Sequence, residues 1–340
     1  MKRLRVLMLV HAHLIPPAEA TAEAALEAPW RTEFDVARCL EALGHRVEIV
    51  GVADDLEPIR RAVRDSPPDV AFNLIECFDD VAHFDQNVVA YLELQKIRYT
   101  GCNARGLMLA RDKAVAKKLL SYHRIRVADF AVAPRGRRFR RPRQLQFPLF
   151  VKSLALDSSI GISQASVVDS EEKLYERIRF VHESCGTDAL VESYIEGREL
   201  YVGVIGNDRL TALPVWELFF EQMPEGSHKI ATERTKWNAE YQERHGIMIG
   251  PAEDLPEGME ARLQRLAKRV FRVLYLNGYA RIDMRLTADG QPCIIEANPN
   301  PQIAHGEEFA ESAHQAGLDY PALVSRLLRL ALAWEPARAG

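Results

Sequence analysis

Two carboxylates and an amide, Asp283, Glu296 and Asn298, lie close together near the end of the chain beside Arg281, a set that could hold a cation. The stretch 280–300 reads A-R-I-D-M-R-L-T-A-D-G-Q-P-C-I-I-E-A-N-P-N. Two short alternating segments around an Asp-Gly pair are the strongest local signal for a β-hairpin. A two-residue Asp289-Gly290 loop closed by Ala288 and Gln291 sets Asp283 opposite Glu296 and Arg281 opposite Asn298, all on one face. Cys293, Ile295 and Ala297 then point to the other side, toward the core. Directly opposed carboxylates repel each other, and a divalent cation removes that objection. Asp, Glu and Asn supply the hard oxygen donors that Mg2+ takes while keeping positions open for phosphates. The competing reading is a solvated acidic face neutralised by Arg281 and Arg285.

Other chemistry-bearing residues precede this hairpin. P-L-F-V-K-S at 148–153 leads into L-A-L-D-S-S-I-G-I, and then a strand is expected from Ser163 to Val168. Strand, small polar loop, strand is the layout of a flap over an anion. Ser158, Ser159 and Gly161 offer hydroxyls and open backbone N–H groups there, and Lys152 a point charge. The bland alternative is a serine-rich turn beside a solvated lysine. A-L-V-E-S-Y at 189–194 is followed by I-E-G-R-E, so that Glu192 and Glu199 flank a turn. Such carboxylates, with the backbone of the connecting segment, can hold a ribose and read an adenine edge, or can be plain edge-strand charges.

The elements that must position these groups read as follows. Apolar runs at 3–10, 46–51 and 69–74, with helical spacing over 32–43 and 81–94, predict a parallel sheet flanked by helices. Ligands of such sheets sit beyond the carboxyl ends of the strands. Those ends carry His11, His13 and Glu76; two loop histidines without a third ligand nearby read as polar contacts rather than as a metal site. Helices are expected over 110–122, from Ser170, over 255–276 and over 318–334, and a long functional loop over 219–249. The loop 134–143 holds six arginines and two prolines. Nucleic-acid contact is the sharp reading of that loop, but a solvated interstrand loop is favoured, because only Phe139 could stack on bases.

Composition bounds the function. At 340 residues and a net charge of −4, nothing global draws the chain toward nucleic acid or an anionic membrane. The five cysteines are scattered without a C-x-x-C pair, which points to reduced thiols and a cytoplasmic setting. No apolar run is long enough to span a bilayer.

With these pieces in order, the chain resembles the ATP-grasp superfamily and, within it, the D-alanine:D-alanine ligase group. The resemblance rests on Y-T-G at 99–101, R-D-K at 111–113, V-K with S-S-I-G-I over 151–162, V-E-S-Y-I-E-G-R-E-L at 191–200, R-I-D at 281–283 and E-A-N-P at 296–299. It implies an ATP-grasp fold of α/β class with an α+β C-terminal part. An N-terminal parallel-sheet domain would span 1–104, a central subdomain with the phosphate flap 105–195, and a C-terminal antiparallel-sheet subdomain with the metal site 196–340. By position, Lys113 and Lys152 match lysines that hold ATP phosphates, and Ser158, Ser159 and Gly161 match the flap. Glu192, Ser193, Ile195 and Glu199 match the adenine and ribose contacts. Asp283, Glu296 and Asn298 match the ligands of two Mg2+ ions, which Mn2+ can replace. Arg281, Ser158 and Lys236 match catalytic side chains, with Lys236-Trp237 standing for the Lys-Tyr of a mobile loop.

The implied reaction joins a small-molecule carboxylate to an amine, with ADP and phosphate as products, and a homodimer is compatible with it. The alternative is a nucleotide-binding regulator that docks a carrier or nucleic acid through Arg135 to Arg143. Departures from the group cluster on the substrate side. Glu33 lies near, but shifted from, the glutamate that holds the first amine, and N-L-I-E-C-F-D-D at 73–80 replaces H-G-x-x-G-E-D-G. Glu307 falls where a serine binds the second substrate's carboxylate, so the expected substrates are not two D-alanines.

Overall fold

A computed structural model of the protein describes residues 2–156 and 159–334. Ser158 therefore lies outside the described residues. The apolar run near the start forms β1 (Arg5–His11), flanked in parallel by β2 (Arg46–Val52) and β3 (Val70–Asn73), in the order β2-β1-β3. β1 is apolar from Val6 to Val10 because both of its faces are covered: Val6, Met8 and Val10 pack with the helices Arg31–Ala42 and Tyr320–Ala333, while Leu7 and Leu9 enter a second core.

β4 (Phe130–Ala133), β5 (Leu149–Ser153), β6 (Val167–Val168) and β7 (Ala189–Ser193) form an antiparallel sheet in the order β4-β7-β5-β6. Its Leu149, Val151, Ala189 and Val191 pack against Leu174 and Ile178 of the helix Glu171–Phe180, which turns Phe150, Lys152 and Glu192 to the other face. The strand expected from Ser163 is shorter than read. Ser163 caps a 3-10 turn, Gln164–Ser166, and only Val167–Val168 pairs.

A third sheet runs β10-β9-β8-β11-β12, built of β8 (Arg198–Ile205), β9 (Thr211–Phe220), β10 (Ile247–Pro251), β11 (Tyr279–Leu286) and β12 (Pro292–Pro299). One face carries Leu200, Val202, Ile282, Met284 and Ile294 onto the helix Met259–Val273, whose Met259, Leu263, Ala267, Val270 and Phe271 fall at helical spacing. The segment 219–249, expected to be one long loop, instead contains the end of β9, short helices at Glu233–Trp237 and Ala239–His245, and the edge strand β10. Tyr201, Trp216, Leu218, Phe220 and Ile247 form a satellite core that holds this region.

The helix expected over 110–122 is divided. Asp112 leaves helical geometry and its side chain accepts the N–H groups of Ala114 and Val115, ending Ala104–Arg111 and starting Lys113–Tyr122. No helix among the described residues is long and apolar enough to cross a membrane.

Candidate active site

The hairpin has the expected register at the site for a reason the residues did not reveal. Asp283 pairs with Glu296 and Arg281 with Asn298, but nearer the turn Met284 pairs with Ile294, leaving Ile295 unmatched in a bulge. The loop itself has three residues. Thr287 N–H donates to Gln291 O at 3.2 Å, Gly290 N–H to Thr287 O at 2.9 Å, and Gly290 has φ 71°. The longer loop and the bulge offset each other. Between them the side chains switch faces, so Cys293, expected in the core, lies opposite Arg285 on the site face, and Ile294 takes its place inside.

The site is a cleft between the second and third sheets. Lys117, Phe150, Lys152, Glu192 and Ile195 line one side, and Glu199, Asp283, Arg285, Cys293 and Glu296 the other. Arg281 grips Asp283 through Nε at 2.7 Å and Nη2 at 2.8 Å, and donates from Nη1 to Glu308 at 2.8 Å. Its guanidinium carbon lies 4.6 Å from the centre of the Tyr201 ring. Asn298 donates to Asp283 Oδ2 at 2.8 Å and to Glu296 Oε1 at 3.4 Å. Burial pushes the Asp283 carboxyl up to about 6, against the lowering charge and hydrogen bonds of Arg281, and the Glu296 charge raises it further. A buried carboxylate, Asp283, a half-buried one, Glu296, and an amide that can turn its oxygen inward form a hard-oxygen donor set beside Arg281 and Lys152. That set fits Mg2+.

Above it, Lys152 Nζ lies 3.2 Å from Glu192 Oε1 and 3.9 Å from Glu296 Oε2, and Lys117 Nζ lies 2.9 Å from Glu192 Oε2. Burial pushes Glu192 up, yet the charges of Lys117 and Lys152 and their hydrogen bonds outweigh it and hold the carboxyl down at about 2. Glu192 thus clamps two lysines through its side chain. Lys117 was missed in the sequence although it sits one helical turn after Lys113, on the same face. Lys113 is buried and donates to Leu156 O at 2.9 Å, at the root of the flap.

The remaining candidates are placed as follows. Glu199 accepts from Arg285 at 2.6 Å and from the Tyr201 hydroxyl at 3.0 Å. Ser193 and Ser159 line the cleft. Gly161 N–H donates to Glu233 Oε2 at 3.1 Å, and Glu233 N–H to Ile162 O at 3.1 Å. Gln164 and His228 exchange bonds of 2.9 and 2.8 Å, so the flap is laced to the segment carrying Lys236. Lys236 reaches the cleft, where its charge lowers Asp283 and Glu308, whereas Trp237 is 65% exposed. Glu308, held against Arg281 at 2.8 Å, was not singled out in the sequence.

On the substrate side, Glu307 is not the bare carboxylate expected. Arg31 Nη1 lies 3.4 Å from it, and Arg31 also donates to His305 O. Glu33 is 4% exposed and its Oε2 has no hydrogen-bond partner among the described residues. Burial pushes it up to about 7, its own backbone N–H pulling down and the charge of Glu76 pushing up. Between the unfolded value of 4.5 and about 7, the folded chain keeps a proton that the unfolded chain has released, so stability falls as pH rises through that window. Above it the penalty reaches up to about 3 kcal/mol. Glu33→Gln is therefore expected to raise the urea midpoint at pH 8 and to match the parent at pH 4. An equal offset at both pH values would contradict this.

In the arginine-rich loop, Arg135 donates to Gly186 O at 2.6 Å, and Arg141 donates to Glu171 at 2.6 Å and stacks on Phe147. Two of its six cations are thus committed within the domain, which weakens the nucleic-acid reading.

Residues 119–329 match the family model described as D-ala D-ala ligase C-terminus. A D-alanine--D-alanine ligase of Nitratidesulfovibrio vulgaris is 32% identical over 315 residues, covering 89% of this chain and 95% of that protein. The vancomycin B-type resistance protein VanB of Enterococcus faecalis is 31% identical over 266 residues, covering 78% of this chain and 73% of that one. The crystal structure of a D-alanine--D-alanine ligase from Bacillus anthracis complexed with ATP superposes with a TM-score of 0.74 over 97% of both chains, at 19% identity. The chain has an ATP-grasp fold and belongs to the D-alanine–D-alanine ligase family.

Proposed function

We propose that the protein is an ADP-forming ligase that joins a carboxylate to an amine through an acyl phosphate, with substrates other than two D-alanines. The observation that carries this reading is the cross-strand pair Asp283 and Glu296, with Asn298 beside it, lying under Lys152. Family membership supports the reaction class. The three parts 1–104, 105–195 and 196–340 are proposed as the substrate-side, flap and metal-bearing units.

The roles follow from charge. Lys113, Lys117 and Lys152 hold phosphate oxygens of ATP, with Ser159 and Gly161 of the flap over them, while Glu192 keeps two of the lysines aimed. The backbone around Ser193 and Ile195, with Glu199, holds the nucleoside. Mg2+ at Asp283, Glu296 and Asn298 supplies neutralisation of phosphate charge, and Mn2+ supplies the same. The donor carboxylate attacks the γ-phosphate, ADP leaves, and the amine then displaces phosphate. Arg281 spends donors on Asp283 and Glu308, and those left over hold the acyl oxygen as it gains charge. Lys236 adds a cation at the same end. The bonds between Gln164 and His228 keep the flap shut over the acyl phosphate and exclude water.

The substrate half departs from two D-alanines through Glu33 and Glu76 on one side and Glu307 and Glu308 on the other. Purified protein is to be incubated with Mg-ATP and a panel of amino acids and amines while phosphate release is recorded. Turnover is expected only with a carboxylate and an amine together. Robust turnover with D-alanine alone would overturn the substrate reading, and no phosphate release with any pair would overturn the ligase reading.

A further inference from the structure

The carboxyl ends of β1 and β3 bring together three side chains that the ATP site does not use. His11 ends β1, and Cys77 and Asp80 lie on the loop after β3. One ligand atom from each lies within 4.8 Å of the other two, and His11 Nε2 is 3.9 Å from Asp80 Oδ1. We infer that His11, Cys77 and Asp80 form a site for a divalent transition-metal ion of the zinc class, with a fourth position open to water or to a substrate atom.

The donor set selects the ion. A thiolate and an imidazole are soft to borderline ligands that favour Zn2+ or Co2+ and are poor ligands for Mg2+, so the site differs in kind from the oxygen set at Asp283. Bond lengths near 2.0–2.3 Å put tetrahedral ligand atoms about 3.5 Å apart, so the three must draw in by about an ångström. Asp80 can move: its side chain is 94% exposed. Reciprocal backbone bonds between Phe78 and Val81, of 3.2 and 3.0 Å, close the turn that carries it. Asp79 and Asp80 both have positive φ there, 53° and 55°, which is costly for residues other than glycine. The surroundings favour a cation, because Glu76 and Asp85 add negative charge at Cys77 and Arg111 opposes them. Binding at Nε2 puts the ring proton of His11 on Nδ1 and gives up a marginal 3.5 Å contact from His13 N–H. The His13 ring, 5.3 Å from that of His11, stands at the edge of the site. Metal binding releases the Cys77 thiol proton to solvent and changes no oxidation state.

The test is a Co2+ titration of the full chain, reduced, freed of metal by a chelator and kept in excess Mg2+ so that the oxygen site is filled. One equivalent is expected to give a thiolate-to-cobalt charge-transfer band in the near ultraviolet with visible bands of a four-coordinate ion, both lost on adding Zn2+. Cys77→Ser should abolish the charge-transfer band. Asp80→Asn, which alters an exposed side chain and leaves folding intact, and His11→Gln should each weaken binding by about 10–100-fold or more, the size of effect seen even for outer-sphere changes. Cys293→Ser, which removes the thiol of the ATP cleft, should leave the band unchanged. No band at one equivalent, a band that survives Cys77→Ser, or affinity unmoved by Asp80→Asn would overturn the site.

Discussion

Glu296→Gln is expected to cut phosphate release by about 10³-fold while leaving the unfolding midpoint close to that of the parent, because a metal's electrostatic contribution is worth several kcal/mol and each 1.4 kcal/mol is a factor of about ten. The substitution keeps the shape and removes the charge that Asp283 faces across the hairpin. Asp283→Asn is expected to lose activity to the same degree and stability as well. Its carboxylate takes two of the three contacts between Arg281 and acidic side chains, and removing that charge leaves a half-buried guanidinium with Glu308 alone. Phosphate release and urea unfolding measured on the same preparations separate the two effects. A Glu296→Gln protein that turns over like the parent would remove Glu296 from the metal set, and an active double variant would remove the metal site itself.

The second large effect is expected at Glu192. Glu192→Ala leaves Lys117 and Lys152 buried without their shared anion, which should cost about 3–5 kcal/mol of stability. Because the folded carboxyl is held near 2 against 4.5 in the unfolded chain, its contribution is full above pH 4.5 and fades as pH falls toward 2. The gap between Glu192→Ala and the parent should therefore narrow in acid. Converting all three to apolar residues, Lys117→Met and Lys152→Met with Glu192→Leu, should recover most of the lost stability without recovering activity. A loss below about 1 kcal/mol for Glu192→Ala would mean that the lysines find other partners, and that the clamp is not what aims them.

The hairpin shows how sequence can give the right cross-strand pairing for incomplete reasons. The cross-strand pair of Asp283 and Glu296 followed from an assumed two-residue loop; the actual loop is one residue longer, and the bulge at Ile295 restores the register. Bulges have no compositional signature in this stretch, so the reversal of Cys293 and Ile294 could not be read. Lys113 was singled out by motif, but Lys117, which lines the cleft and which helical spacing alone would have offered, was not. The region 219–249 looked like a loop because its apolar residues are few, and its order comes from contacts made across the sheet by Trp216 and Tyr201. The pairing of Arg31 with Glu307 and the meeting of His11 with Cys77 and Asp80 join residues far apart in the chain, where no local pattern reaches. What local periodicity and capping could carry, such as the helix Arg31–Ala42 read to within a residue or so, it carried.

The most direct test of the acyl-phosphate account follows the oxygen atoms. Once the panel has identified the acyl donor, that compound is supplied with ¹⁸O in its carboxylate, together with Mg-ATP and the amine. Mass analysis of the phosphate released is expected to show one labelled oxygen per phosphate, with ADP as the nucleotide product, since attack on the γ-phosphate carries a carboxylate oxygen onto phosphorus. Unlabelled phosphate, or label recovered in AMP, would contradict the account.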